Sequence, residues 1–156
     1  MVFEVEAVEV IPRKVEEVFR EAAAEAAPIA RYFVGFPPVI PAVLEATVDG
    51  GGAHATGALR TVRLGDGTVI KERVLALEAP HLHRYDMAEM NPTQRLLLTN
   101  MVAEWRFEDV GGATRVRWRY AFHPRNIAVA PATWVMAKVF RVAMQRCLQR
   151  LAAALR

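Results

Sequence analysis

One hairpin constrains this chain more than any other feature. In "MVAEWRFEDVGGATRVRWRYAF" (Met101 to Phe122), Gly111-Gly112 reads as a two-residue loop, the length that suits the primed turns of β-hairpins. That loop sets Trp105 opposite Trp118, Phe107 opposite Val116, Ala103 opposite Tyr120 and Met101 opposite Phe122. The other face sets Glu104 against Arg119 and Glu108 against Arg115. Arg106 against Arg117 is the like pair, softened by flanking carboxylates. One face is aromatic and the other a charge ladder, as cross-strand pairing favours. A slip of one residue would destroy both patterns. The fold must therefore cover the aromatic face.

A second hairpin, "GALRTVRLGDGTVIKERV" (Gly57 to Val74), has two candidate registers. A two-residue loop at Asp66-Gly67 would oppose Arg60 to Arg73 and Val62 to Lys71. A three-residue loop, Gly65-Asp66-Gly67 with Gly67 left-handed, opposes Val62 to Ile70 and Arg60 to Glu72. The second register puts Ala58, Arg60, Val62 and Leu64 on one face with Ile70, Glu72, Val74 and Ala76. That face is apolar apart from one opposite-charge pair. A buried Arg–Glu pair says little about stability, because desolvation offsets the attraction. Desolvated charges do concentrate at functional sites. Two readings stay open here: a partly wet, structural pair near the sheet's end, and a pair facing a ligand.

The rest of the chain supplies what such a sheet needs. Residues 2–11, "VFEVEAVEVI", alternate with the period of a half-buried strand. Pro12 is placed at the start of a helix that carries Val15, Val18, Phe19 and Ala22 on one stripe. Pro28 interrupts it, a short helical or irregular piece follows, and "FPPVIPAV" (Phe36 to Val43) reads as a rigid loop bordering the mouth of a cavity. Six strands with turn signals then run from Val43 to Pro124, the last break before the long hairpin being "NPT". A long helix after Pro131 carries Met136, Phe140, Ala143, Cys147, Leu151 and Ala154 on one face. Lys138, Arg141, Gln145 and Gln149 lie opposite. An antiparallel sheet with one apolar face needs a cover, and this helix supplies it. The expected fold is α+β: a curved seven-stranded antiparallel sheet gripping a long C-terminal helix, with a short helical segment after the first strand.

Bulk properties exclude several classes. A chain of 156 residues suits one domain, 1–156, with a real core. The sequence pI is 9.4, but the net charge is +3 and the basic residues are dispersed, so no nucleic-acid partner is expected. No apolar run approaches the roughly 18 residues of a membrane span, and the start lacks the basic and apolar regions of a signal peptide. A cytoplasmic protein without integral membrane association is expected. Oligomeric state is left open between monomer and homodimer. Cys147, the single cysteine, is read as a small buried hydrophobe.

Candidates for chemistry are few. His81 and His83 share a strand face but lack a third ligand, so no metal is expected. His54 and His123 lie near strand ends and are placed in solvent. Asp86 alternates to the outer face. Tyr85, Met87, Trp105, Trp118, Tyr120, Met136 and Phe140 form the inward aromatic and Met-rich set. These are either core or the wall of an apolar pocket with a few placed polar groups. Buried Tyr and Trp need partners, which Arg60, Glu72 and Thr99 are placed to supply. If the chain is an enzyme, Glu72 is the acid/base, with Tyr120 or Tyr85 polarising a carbonyl. There is no Ser/His/Asp set, phosphate loop or dinucleotide fingerprint, and no cofactor is expected.

The stretch from Gly57 to Met87 resembles the strand–turn–strand–strand core of the START/Bet v 1-like (SRPBCC) superfamily, in its polyketide cyclase/dehydrase and lipid-transport branch. Gly57, Arg60, Glu72, Arg73 and Tyr85 fill that pattern, and "EWRFED…TRVRWRYAFHP" is similar to its last two strands. The resemblance covers nearly the whole chain. It implies a helix-grip fold whose cavity holds lipids, polyketides or other apolar molecules. Plant hormone receptors of this fold carry a cavity-lining glutamate at the position of Glu72, but "GDG" replaces their long gating loop, so their latch and phosphatase partner are not carried over. The expected ligand-facing set is Arg60, Val62, Glu72, Val74, Tyr85, Met87, Thr99, Met101, Trp105, Trp118, Tyr120, Met136 and Phe140. The expected function is binding or transport of a hydrophobic or amphipathic small molecule. The alternatives are a cofactor-free aromatase/cyclase or dehydratase in the same cavity, and an interaction module whose interior is filled by its own side chains.

Overall fold

The aromatic face is buried by the arrangement the alternation calls for, in a computed structural model that describes residues 1–26 and 28–156. The elements are β1 (Phe3–Ile11), α1 (Val15–Ala22), α2 (Pro28–Tyr32), β2 (Val43–Val48), β3 (Leu59–Leu64) and β4 (Val69–Glu78). There follow β5 (Leu82–Glu89), α3 (Pro92–Leu97), β6 (Leu98–Asp109), β7 (Thr114–Pro124) and α4 (Ala130–Leu155). The strands form one curved antiparallel sheet in the order β1-β7-β6-β5-β4-β3-β2. Helix α4 lies along β1 and β7 and closes the inner face.

Both hairpin registers are as the residue pattern requires. Trp105 pairs with Trp118 and Phe107 with Val116 across β6 and β7, and Arg60 pairs with Glu72 across β3 and β4. Gly67 has φ +87°, the left-handed value that a three-residue loop demands and that costs glycine nothing. On the outer face the charge ladder is spread over three strands. Arg117 and Arg119 lean towards Glu6 of β1, at 3.5 and 3.4 Å, while Arg106 pairs with its own neighbour Glu104.

Four local expectations are corrected. Pro12 does not open α1. Ile11 is still paired to Thr114 and Arg13 N–H returns to the Ile11 carbonyl, so a bend separates strand and helix, which is entered at Lys14. "NPTQRL" is not a simple turn but the helix α3, held by a capping box in which Asn91 accepts from Gln94 N–H and Gln94 accepts from Asn91 N–H. Ala154 is exposed, because the buried stripe of α4 drifts to Leu151 and Ala152 as its end is tied to Arg13. A register shift between Val74 and Ala76 turns Leu77 towards the core in place of Ala76, which pairs with exposed Arg84, as an extra residue in one strand does. Among the described residues, no helix is long and apolar enough to cross a membrane.

Candidate functional site

Between the sheet and α4 lies a cavity of about 180 Å³. Its floor is made by alternate residues of four strands: Val62 and Leu64 of β3, Ile70 and Glu72 of β4, Tyr85 and Met87 of β5, and Trp118 and Tyr120 of β7. Met101 of β6 and Met136 and Phe140 of α4 complete the walls. Its rim carries Pro38, Val39, Ile40 and Pro41 of the proline-rich loop, Asp66 of the β3–β4 turn, and Asn91, Thr93 and Gln94 at the start of α3. The loop stands where the sequence reading placed it.

The opening hairpin brings Arg60 Nη2 to 2.9 Å from Glu72 Oε1, with side chains 4% and 10% exposed. The Arg60 guanidinium lies over the Tyr85 ring at 4.6 Å and meets His83 Nε2 at 3.4 Å. Its Nε is buried with no partner among the described residues. A void large enough for about one water, about 10 Å³, lies between Arg60, Glu72, His83, Tyr85 and Trp105. Glu72 and Tyr85 line both spaces and form the wall between them. The Tyr85 hydroxyl accepts long hydrogen bonds of 3.4 Å from Trp105 Nε1 and the Tyr120 hydroxyl.

Electrostatics follow from this burial. Desolvation pushes Glu72's carboxyl up and prevails over the opposing pull of Arg60. Burial, then the Arg60 charge, then His54 hold His83 well below the ordinary imidazole range. Burial also raises the Tyr85 and Tyr120 phenols. Arg60 thus donates to a neutral imidazole nitrogen. Among the described residues, the inner wall of the cavity is apolar apart from the Glu72 carboxylate and the tyrosines beside it, with Arg60 behind Glu72 and polar groups at the rim. Such a wall can orient a polar group, and it can take and return a proton.

Most of the sequence-predicted set converges here, but not all. Val62, Glu72, Tyr85, Met87, Met101, Trp118, Tyr120, Met136 and Phe140 line the cavity. Arg60 and Trp105 stand one layer behind, at the small void. Val74 is buried but lines neither space. Thr99 is a correction: a register shift between Leu98 and Asn100 turns it outward, where its hydroxyl donates to the His123 carbonyl. His54 is another correction. It packs edge-on against His83 at 5.3 Å, with Nε2 3.1 Å from the Ala23 carbonyl.

Sequence reasoning missed Phe33 and Ile29 of the α2 region, and Asn91 and His83. Asn91 carried a signal, since Asn-x-x-Gln is a capping pattern. His81 faces the Phe107 carbonyl, and no metal-binding cluster occurs among the described residues. Cys147 is buried in the α4 core, its thiol pushed up to about 12 by burial, so it is no nucleophile.

The family described as polyketide cyclase / dehydrase and lipid transport matches residues 2–156. No curated protein matches the sequence. Among solved structures, the chain is similar to Zhui aromatase/cyclase from Streptomyces sp. R1128, with TM-score 0.72 and 16% identity over 98% of this chain and 94% of that one. It is also similar to ginseng major latex-like protein 151 from Panax ginseng, with TM-score 0.73 and 12% identity over 100% and 99%. Ara h 8.0201 gives TM-score 0.71 and 14% identity over 99% and 98%. At these identities the likeness is one of fold.

Proposed function

We propose, from the premise that this chain belongs to the polyketide cyclase / dehydrase and lipid transport family, that it binds a hydrophobic small molecule between its sheet and α4. Arg60 and Glu72 orient the polar end of that molecule. The observation that carries the reading is Glu72, a buried carboxylate in the wall of a largely apolar cavity of about 180 Å³, with Arg60 held behind it at 2.9 Å. An ion pair gains little stability in such a place, and a core filled by its own side chains would leave no such space. Native mass spectrometry of freshly purified protein, with an organic extract of the same sample, tests it. A stoichiometric adduct lost on denaturation is expected. A clean mass, together with no uptake of added apolar probes, sinks the reading.

A second reading, a cofactor-free aromatase/cyclase or dehydratase, is favoured by one observation: burial raises the Glu72 carboxyl while two phenols stand in the same wall. The Glu72 carboxylate would take a proton from a carbon flanked by carbonyls, and Tyr85 or Tyr120 would hydrogen-bond the enolate oxygen. The enolate carbon would bond to a second carbonyl carbon, whose oxygen takes the proton back from Glu72. Loss of water would follow. Glu72→Gln should then abolish turnover and leave binding in place. Unchanged turnover removes this reading.

A further inference from the structure

The polar atoms around the cavity do not all satisfy one another. Among the described residues, Glu72 Oε1 accepts from Arg60, and no donor meets the second carboxylate oxygen. Tyr85 and Tyr120 share one hydrogen bond. Tyr85 takes another from Trp105, so two phenol protons and one mutual bond leave one proton without an acceptor. Trp118, which lines the cavity, has its Nε1 buried with no partner. Buried polar groups left this way are costly and are normally satisfied. The wall therefore offers one strong acceptor, at Glu72, and one spare phenol proton, at Tyr85.

Its charge is equally defined. Among the described residues, the charged ones on the cavity surface are Glu72 and, at the rim, Asp66; the cation Arg60 lies behind the wall, engaged with Glu72. His83 and His54 stand behind Arg60 and add no countercharge, since burial keeps both below the ordinary imidazole range. An anionic ligand would meet a carboxylate in a largely apolar space with no free cation among the described lining residues. A cationic one would have to displace Arg60. Size adds a bound: about 180 Å³ lies slightly above the roughly 150 Å³ that holds a benzene ring and below the roughly 300 Å³ of ordinary ligand pockets.

We infer that the cavity selects an uncharged ligand, one ring or two fused rings in size, that presents a hydroxyl to Glu72 and an acceptor oxygen to the tyrosine pair. This rests on the binding role proposed above and narrows it, against fatty acids, carboxylated polyketides and long acyl chains.

The test is titration of the purified protein with 2-naphthol, 2-naphthoate, 2-naphthylmethylammonium and 1-hydroxypyrene at neutral pH, followed by tryptophan fluorescence and calorimetry. 2-Naphthol should bind about 100-fold more tightly than naphthoate and roughly tenfold more tightly than the ammonium, and the four-ring phenol should not bind. In Glu72→Gln, naphthol should weaken and naphthoate should gain about tenfold, because Arg60 is released to a new carboxylate. Tyr85→Phe, which removes the spare phenol proton and keeps the ring, should weaken naphthol and leave the order of the ions unchanged. Naphthoate or the ammonium binding as tightly as naphthol, or tight binding of hydroxypyrene, overturns the inference while the binding role stands. An unaltered order of affinities in folded Glu72→Gln overturns it as well. If no probe binds, the binding role falls and the inference falls with it.

Discussion

Arg60 and Glu72 face each other across β3 and β4 at 2.9 Å, and neither side chain is more than 10% exposed. The pair exists because Gly67 takes the left-handed conformation, at φ +87°, that a three-residue loop requires. A loop one residue shorter would set Arg60 against Arg73. The placement of two charges inside the protein is thus decided at the tip of a hairpin, in contact with solvent.

Removing one partner should cost far more than removing both. Arg60→Met leaves a buried carboxylate without its cation and should destabilise by about 3–5 kcal/mol. Arg60→Met combined with Glu72→Leu should lie within about 1–2 kcal/mol of the original chain, because the desolvation of both charges disappears with them. Urea unfolding of the single and double variants checks this. If the double variant is as unstable as the single one, the pair contributes net stability and the argument from desolvation is wrong.

Acid should destabilise the protein through the histidines behind that pair. His83 faces Arg60, His54 and Tyr85, with Glu72 on the far side of Arg60. Both imidazoles are held below the ordinary value of 6.5, so in this range the unfolded chain binds more protons than the folded one. Stability is then complete above about pH 6.5 and falls as the pH drops towards the depressed folded values. Glu72 works in the opposite sense: its raised carboxyl makes the folded chain the better proton acceptor, so its contribution grows as pH falls. Unfolding free energies between about pH 7.5 and 5 should therefore decline in the original chain. They should decline less in His83→Gln and more steeply in Glu72→Gln. Parallel curves for all three would contradict the assignment.

The parts legible in the sequence were those where two independent patterns had to agree. The β6–β7 register satisfies an aromatic face and a charge ladder together, so the residue pattern alone pairs Trp105 with Trp118. The choice between two loops for β3 and β4 was decided the same way. Illegible parts lacked periodicity. Helix α3 has six residues, too few to show a helical period, and its capping pattern was read as a turn. The bulge that follows it reversed Thr99, an insertion that alternation cannot anticipate. His54 arrives from a loop, and only the packing of α1 and β5 determines that it stops against Ala23 and His83.

Filling the cavity should abolish binding without unfolding the protein. Val62 lies on the floor, buried in β3 between Arg60 and Leu64, and a phenyl ring at that position would occupy much of the 180 Å³. Val62→Phe should eliminate 2-naphthol uptake while changing stability by about +0.5 to +2 kcal/mol, as cavity-filling substitutions commonly do. Loss of binding with a large loss of stability would mean that the space is needed by the core rather than by a ligand.

The rim should control how long a ligand stays. Asn91 is buried, caps α3 through Gln94, and donates from Nδ2 to Thr68 Oγ1 at 3.2 Å. Thr68 in turn donates to Asp66 at 2.7 Å. This chain of bonds ties the start of α3 to the β3–β4 turn, and both line the mouth. Asn91→Ala breaks the cap and the tie together, at a stability cost of about 1 kcal/mol. It leaves every residue of the floor in place, so the association rate should change little. Dissociation of 2-naphthol, followed by stopped-flow fluorescence, should accelerate by roughly tenfold if about 1.4 kcal/mol of barrier is lost at the rim. Asn91→Asp keeps the capping oxygen and loses only the Nδ2 donor, so it separates the two bonds. Restored stability with fast release assigns retention to the Thr68 contact, whereas slow release in both variants shows that the rim does not gate the cavity.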